Sequence, residues 1–338
     1  MLHPDFQEWV STAKPAKVVL LYHWDCDGLA SCALFINFFE EVSPATEIII
    51  EHPTINRYFL VNEEFERIAA YGADAVVMMD FNAPLDTITR LEEGGLLFVF
   101  DNHAQTADID RPGLQDTKYP SASMLINDYL MKPLSLVSVL GAVGDKEEAI
   151  RDEAEFWPQV REMMEESGLD WPGIMRLTKL VDTMYMLGDS RGMADTIDIL
   201  RRDPKLVLTD ARFVMNEQKI SDELKRVLNQ EPKTYIESAD LVSFEFISEV
   251  SVLSEATRAK AREFADKVVL TWQSKGGLDM VYIRTRTDKI DCRKVTEFAR
   301  GLGQNSGGKP EVAGIVLLDM TLSDFLPKVE KFLLDQLS

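Results

Sequence analysis

Basic residues are in short supply. Only 36 Lys and Arg stand against 57 Asp and Glu, a formal net charge of −21 over 338 residues. A chain this acidic lacks the broad positive surface that holds long nucleic acid by its phosphates, which argues against a long duplex as partner. A short nucleotide stays open, provided that cations and a few Arg or Lys residues are focused in one cleft. Cysteine is scarce too: Cys26, Cys32 and Cys292 are the full set. They have no zinc-type spacing, and their odd number argues against a disulfide framework. No apolar run reaches the ~20 residues that span a bilayer. The start, Met1-Leu2-His3-Pro4-Asp5, lacks the charged and apolar regions of a signal peptide. The expected setting is therefore the cytoplasm, without a membrane. No internal repeat and no low-complexity tract occurs.

What is present is ordinary globular material, 46% apolar and 28% charged, long enough for two domains. The first half alternates strand and helix. Short Val/Ile/Leu/Phe-rich runs at Val18–His23, Glu47–His52, Ala75–Phe81 and Leu96–His103 suit buried parallel strands. Helical patterns at Ala30–Glu41, Glu63–Tyr71 and Leu85–Glu93 separate them. That alternation predicts an α/β fold, a doubly wound parallel sheet. Helices follow at Ser121–Met131, Pro133–Val143, Glu147–Ser167, Trp171–Leu187 and Gly192–Arg202. A charged amphipathic helix is then expected over Leu208–Gln230, supported by pairs such as Asp210/Arg212 and Glu223/Arg226. Beyond Glu231-Pro232 a smaller mixed α/β segment is expected. Its strands fall at Asp240–Ile247, Lys267–Gln273, Met280–Thr287 and Val312–Thr321, with helices at Glu255–Asp266, Cys292–Leu302 and Ser323–Gln336. The domain boundaries follow: 1–190, a helical connector at 191–235, and 236–338.

Chemistry gathers where these runs stop. Val18-Val19-Leu20-Leu21-Tyr22 runs into His23, Asp25 and Asp27, and Gly28 turns the chain into a helix. Alternate residues of extended backbone share a face, so the three can point one way, as a hard or borderline divalent cation requires. Asp80 ends another apolar strand. Asp101, Asn102 and His103 end a third. Leu140-Gly141-Ala142-Val143-Gly144-Asp145 closes an apolar segment with two glycines and a further carboxylate, a strand-end or loop cluster of the same kind. Parallel strands place their C-terminal ends on one edge, where residues distant in sequence converge. Two of the four histidines fall in these clusters. Each residue alone has a plain reading: Asp27 as a helix cap, Asp80 and Asp145 as turn carboxylates, Asp101-Asn102 as an Asx turn. Trp157, Trp171, Trp272 and the Met-rich stretch 175–193 suit core packing.

Taken together, the set resembles the DHH phosphoesterase superfamily. Its first motif is matched by His23-Trp24-Asp25-Cys26-Asp27-Gly28-Leu29-Ala30-Ser31, its second by Asp80, its third by Asp101-Asn102-His103, and its fourth by Gly141-Ala142-Val143-Gly144-Asp145. The C-terminal segment is similar to the DHH-associated domain. Its glycine-rich substrate loop corresponds to Ser306-Gly307-Gly308-Lys309-Pro310-Glu311-Val312-Ala313-Gly314, and its arginine to Arg284. The resemblance runs from about residue 16 to 320.

It implies a two-metal phosphoesterase using Mn2+, or Mg2+ or Co2+. By analogy, His23, Asp25 and Asp80 would hold one ion and Asp27, Asp80 and Asp145 the other, with Asp80 as bridge. Two ions sharing a hydroxide can attack phosphorus in line. Asp101 would orient the neighbouring loop, and His103, Arg284, Gly307, Gly308 and Lys309 would contact substrate. Two positions depart from the pattern. Asn102 stands where the family usually has a second-metal His, and it offers a neutral carbonyl oxygen instead of imidazole. Lys309 stands where the glycine loop usually ends in His, and remains a phosphate-binding charge. The expected substrates are short oligonucleotides, dinucleotides or 3′-phosphoadenosine 5′-phosphate, as in the nanoRNase and pAp-phosphatase branch, and a homodimer is compatible with this. Two other readings are a RecJ-like single-strand exonuclease with a replication or repair partner, and a catalytically degenerate scaffold.

Overall fold

The computed structural model describes residues 5–103, 111–230 and 237–337. The chain forms two compact units. The first comprises Met1–Ile55, Phe59–Tyr185 and Asp189–Glu217, the second Asn56–Tyr58, Met186–Gly188 and Gln218–Ser338. The expected break at Glu231-Pro232 lies outside the described residues.

In the first unit, β1 (Lys17–Tyr22), β2 (Glu47–Glu51), β3 (Ala75–Met79), β4 (Leu96–Asp101) and β5 (Gly113–Gln115) form one parallel sheet in the order β2-β1-β3-β4-β5. Period-two alternation puts Val18, Leu20 and Tyr22 of β1 into one core. Val19 and Leu21 enter the other. The first core is closed by α1 (Phe6–Ala13) and α2 (Cys26–Val42), the second by α3 (Asn62–Ala70) and α4 (Leu85–Glu93). The sheet is doubly wound, as its uninterrupted apolar strands require. Because β2 and β3 flank β1 on opposite sides, the strand order reverses at β1/β3, and the crevice beyond their C-terminal ends is the natural ligand position.

Six helices follow: α5 (Ala122–Tyr129), α6 (Leu136–Lys146), α7 (Trp157–Ser167), α8 (Trp171–Met186), α9 (Ser190–Arg202) and α10 (Ala211–Leu228). The long helix expected over 147–167 is instead a 3-10 turn, Glu147–Asp152, followed by α7. Pro158 lies in the first turn of α7, the one place where its missing N–H costs no helical bond. Asp145 is neither at a strand end nor in a loop; it occupies the last turn of α6. The pairs Asp210/Arg212 and Glu223/Arg226 form, at 3.1 Å and 2.6 Å. All three cysteines are buried and free. Among the described residues no helix is long and apolar enough to cross a membrane.

The second unit holds a mixed sheet of β6 (Leu241–Glu245), β7 (Val268–Lys275), β8 (Leu278–Arg284), β9 (Asn305–Lys309) and β10 (Val312–Val316), ordered β6-β7-β8-β10-β9. Only β6 and β7 are parallel. Beside it lie α11 (Leu253–Glu263), α12 (Cys292–Gly301) and α13 (Leu322–Leu337). Ile283, Ala313 and Ile315 pack with Val295 of α12 and Phe325 of α13 into a separate core. The expected glycine loop is a strand, β9, paired in register with β10 so that Gly307 faces Gly314 and Lys309 faces Val312. Glycines weaken strand propensity, which hid β9 from a reading of the sequence; a neighbouring side chain explains why they are there.

Candidate active site

The strand β1 ends at Tyr22, and the chain turns at once into α2. Asp25, not Asp27, is the N-cap of that helix, its carboxylate accepting the Gly28 amide at 3.1 Å. Gly28 is required by proximity: a Cβ there would lie 1.9 Å from the His23 carbonyl oxygen. The turn thus folds His23 and Asp25 together, with Nδ1 of His23 at 2.8 Å from Asp25 Oδ2.

Asp80 sits one residue past β3 with φ +63°. Left-handed backbone is uncommon outside glycine and is tolerated best by Asn and Asp. This conformation turns the carboxylate into the site and buries it, at 3% exposure. One oxygen lies 4.0 Å from His23 Nδ1, the other 3.8 Å from His103 Nδ1. Two groups of potential metal donors result, each with atoms within 4.8 Å of one another: His23, Asp25 and Asp80, and Asp80, His103 and Asp145. Asp80 is common to both.

His103 is itself held from behind. Asp101, the fully buried last residue of β4, accepts Nδ1 of His103 at 2.7 Å and its backbone amide at 3.2 Å. Its other oxygen accepts the Asn82 amide at 2.8 Å. A carboxylate only accepts, so the imidazole carries its proton on Nδ1 and presents a lone pair on Nε2.

Asp27 lies close enough to Asp80 and Asp145 for its charge to act on both. Its oxygens accept the amides of Ala122 and Ser123, at 2.7 and 3.0 Å, at the start of α5. It belongs to neither donor group. A Cβ on Gly141 would lie 2.1 Å from both Asp27 Oδ1 and Ser123 Oγ, so the glycine of the fourth motif makes room for this carboxylate. Asn102 donates Nδ2 to the Tyr119 carbonyl at 3.3 Å, and its Oδ1 is buried without a hydrogen-bond partner.

The electrostatics are those of carboxylates held together against their repulsion. Burial, then the charges of Asp27, Asp25, Asp145 and Asp101, push the Asp80 carboxyl well above its ordinary range. Burial and Asp145 raise Asp27 to about 7. Burial also works to raise Asp25, but the neighbouring His23 wins and holds it below the usual carboxylate range. The last turn of α6 adds unfavourable dipole to Asp145. Carboxylates gathered with two imidazoles, with Asp80 Oδ2 buried and unpartnered, fit a divalent cation. No thiol competes as nucleophile, because burial and nearby carboxylates push Cys26 far up.

In the second unit, strand register places Arg284, Val312 and Lys309 in one row across β8, β10 and β9. The next row on that face is Tyr282, Gly314 and Gly307. Gly308 is one residue out of phase and points to the other face, against Thr296 of α12. Nothing in the sequence pattern singled out Tyr58. Its hydroxyl donates to Tyr282 at 2.8 Å and its amide to Asn305 Oδ1 at 2.7 Å. A Cβ on Gly314 or Gly307 would lie 1.7 or 2.7 Å from it, so these glycines serve to seat an aromatic ring.

A five-stranded parallel sheet of this order beside a second mixed sheet is the fold of solved RecJ structures, in keeping with the fold that the motifs led us to expect. A manganese complex of RecJ from Thermus thermophilus shares it with TM-score 0.64 at 16% identity, over 97% of this chain and 53% of that one. An exonuclease RecJ bound to manganese matches with TM-score 0.62 at 17% identity, over 97% and 92%. CDC45 from Entamoeba histolytica matches with TM-score 0.54 at 8% identity, over 95% of both chains. The chain thus spans about half the length of the Thermus RecJ. No family model and no curated protein sequence matches it.

Proposed function

We propose that this protein is a metal-dependent phosphoesterase acting on short oligonucleotides, dinucleotides or pAp-like nucleotides. The observation that carries the reading is the sharing of Asp80 between two donor groups. His23, Asp25 and Asp80 would hold one cation, and Asp80, His103 and Asp145 a second, with Asn102 Oδ1 as an added neutral donor. Mn2+ is the favoured ion, with Mg2+ and Co2+ as alternatives. Bound there, such cations acidify water and neutralise charge on a phosphate.

The protein's own groups do the rest. Asp101 fixes the tautomer and angle of His103, and the left-handed backbone of Asp80 holds its carboxylate between the two imidazoles. Asp27, set by two amides beside Asp145, adds negative charge that favours cation entry once it gives up its proton near pH 7. Arg284 and Lys309, in one row of the second sheet, would bind substrate phosphate. The net charge of −21 favours small substrates over tracking a long strand.

The test is a turnover panel with Mn2+, Mg2+ or Co2+ on pAp, dinucleotides and oligonucleotides of increasing length. Metal-dependent hydrolysis confined to small substrates supports the reading. Absence of turnover with every metal sinks it, and processive digestion of long single strands replaces it with a RecJ-like exonuclease.

A further inference from the structure

The first motif is gripped from outside the four motif segments by α8. Asp182 Oδ1 accepts the Cys26 amide at 2.8 Å. Cys26 opens α2, so this amide is one of the donors that a helix start leaves without a helical partner. It is also the backbone unit between Asp25 and Asp27. Three residues further along α8, Tyr185 packs on Trp24, with ring centroids 4.6 Å apart. Trp24 in turn lies on His23 at 4.2 Å. One turn before Asp182, Thr178 borders the same spot: a Cβ on Gly144 would lie 3.3 Å from Cys26 Cβ and 3.4 Å from Thr178 Cγ2. Thr178, Asp182 and Tyr185 are spaced i, i+4, i+7, which is one face of a helix. Asp182 belongs to neither donor group among the described residues.

We propose that Asp182 is a positioning residue: by capping the Cys26 amide, and together with Tyr185 against Trp24, it fixes the backbone that carries His23, Asp25 and Asp27. The role rests on the proposed metal-dependent activity for its consequence, but not for its geometry. The carboxylate acts on the motif by accepting the Cys26 amide. An asparagine can accept the same bond through its Oδ1, whereas alanine cannot.

The experiment compares D182A and D182N with the full-length wild type in two readouts. The first is backbone amide exchange over residues 24–28 in metal-free protein. Exchange there should speed up in D182A, while D182N stays near wild type. The second is Mn2+ binding by calorimetry. D182A should bind about 10–100-fold more weakly, as expected when an outer partner of a metal site is lost, and D182N should recover most of that loss. Unchanged exchange in D182A overturns the proposal. So does a D182N as impaired as D182A, since charge instead of the hydrogen bond would then be acting. Should D182A not fold, wild-type-like exchange and Mn2+ binding in D182N support the proposal, and faster exchange in D182N overturns it. A wild type that binds no Mn2+ counts against the metal-dependent activity, while the exchange result still judges Asp182.

Discussion

Asp80→Asn should make the metal-free protein more stable and the metal-loaded protein less so. The carboxylate oxygens of Asp80 lie within 4.8 Å of donor atoms on Asp25 and on Asp145. Two unit charges at that distance repel by about 3.5 kcal/mol at an effective dielectric of about 20. With two such neighbours, and with burial, the ionised state is costly, which is what pushes the Asp80 carboxyl well above its ordinary range. Asparagine has the same shape, carries no charge, and accepts left-handed backbone at least as well as aspartate. Nor is a protein donor lost, because Asp80 Oδ2 has none. Relief of one such repulsion sets the expected gain at about 2–4 kcal/mol, which raises the melting temperature of a unit of this size by roughly 4–16 °C. The assay is calorimetric melting at pH 7 after chelation, repeated with Mn2+. Mn2+ at 100 times its dissociation constant should stabilise wild type by about 2.7 kcal/mol and leave D80N unmoved. A D80N protein that melts below wild type without metal, or that gains as much from Mn2+, refutes the reasoning.

Four further outcomes are expected. Asp27 binds its proton more tightly folded than unfolded, its carboxyl being raised from 3.8 to about 7. That contribution is complete below about pH 4 and is lost as pH rises to 7, so metal-free stability should fall across this window; excess Mn2+, which needs deprotonated ligands, should reverse the slope. A flat metal-free profile would falsify the assignment. Gly141→Ala drives a methyl into Asp27 Oδ1 and Ser123 Oγ; it should cost about 1–3 kcal/mol by denaturant midpoint and weaken Mn2+ binding, and a neutral result would show that the two helices yield freely. Asn102→His should raise metal affinity or shift metal preference, and unchanged metal dependence would place that side chain outside the ion's reach. Arg284→Ala and Lys309→Ala should each raise KM about tenfold with kcat little changed; the opposite split would assign them to chemistry instead of binding.

The apolar strands were legible because a buried parallel strand must be apolar on both faces, and β1, β3 and β4 are; β2, at the sheet edge, still shows a run of three isoleucines between its glutamates. The strands that escaped notice have local reasons. β5 is three residues long, too short for a periodicity, and β9 is Asn-Ser-Gly-Gly-Lys, whose glycines answer to Tyr58 and not to strand propensity. The 3-10 turn at Glu147–Asp152 interrupts what composition alone presents as continuous helix.

By itself the sequence determined that this chain builds an α/β sheet and sets His23, Asp25, Asp80, Asp101 and His103 at the ends of its strands. Those are consequences of chain-local pattern, since the end of an apolar run is the end of a strand. Only the tertiary structure decided how the donors are shared out. It turned Asp80 through a left-handed residue to stand between two imidazoles, brought Asp145 in on a helix, and tied Asp27 to the amides of α5. It also set Asp182 and Tyr58 against motifs more than a hundred residues away in sequence. Distances of a few ångströms between remote residues depend on sheet order and helix packing, and no spacing along the chain encodes them.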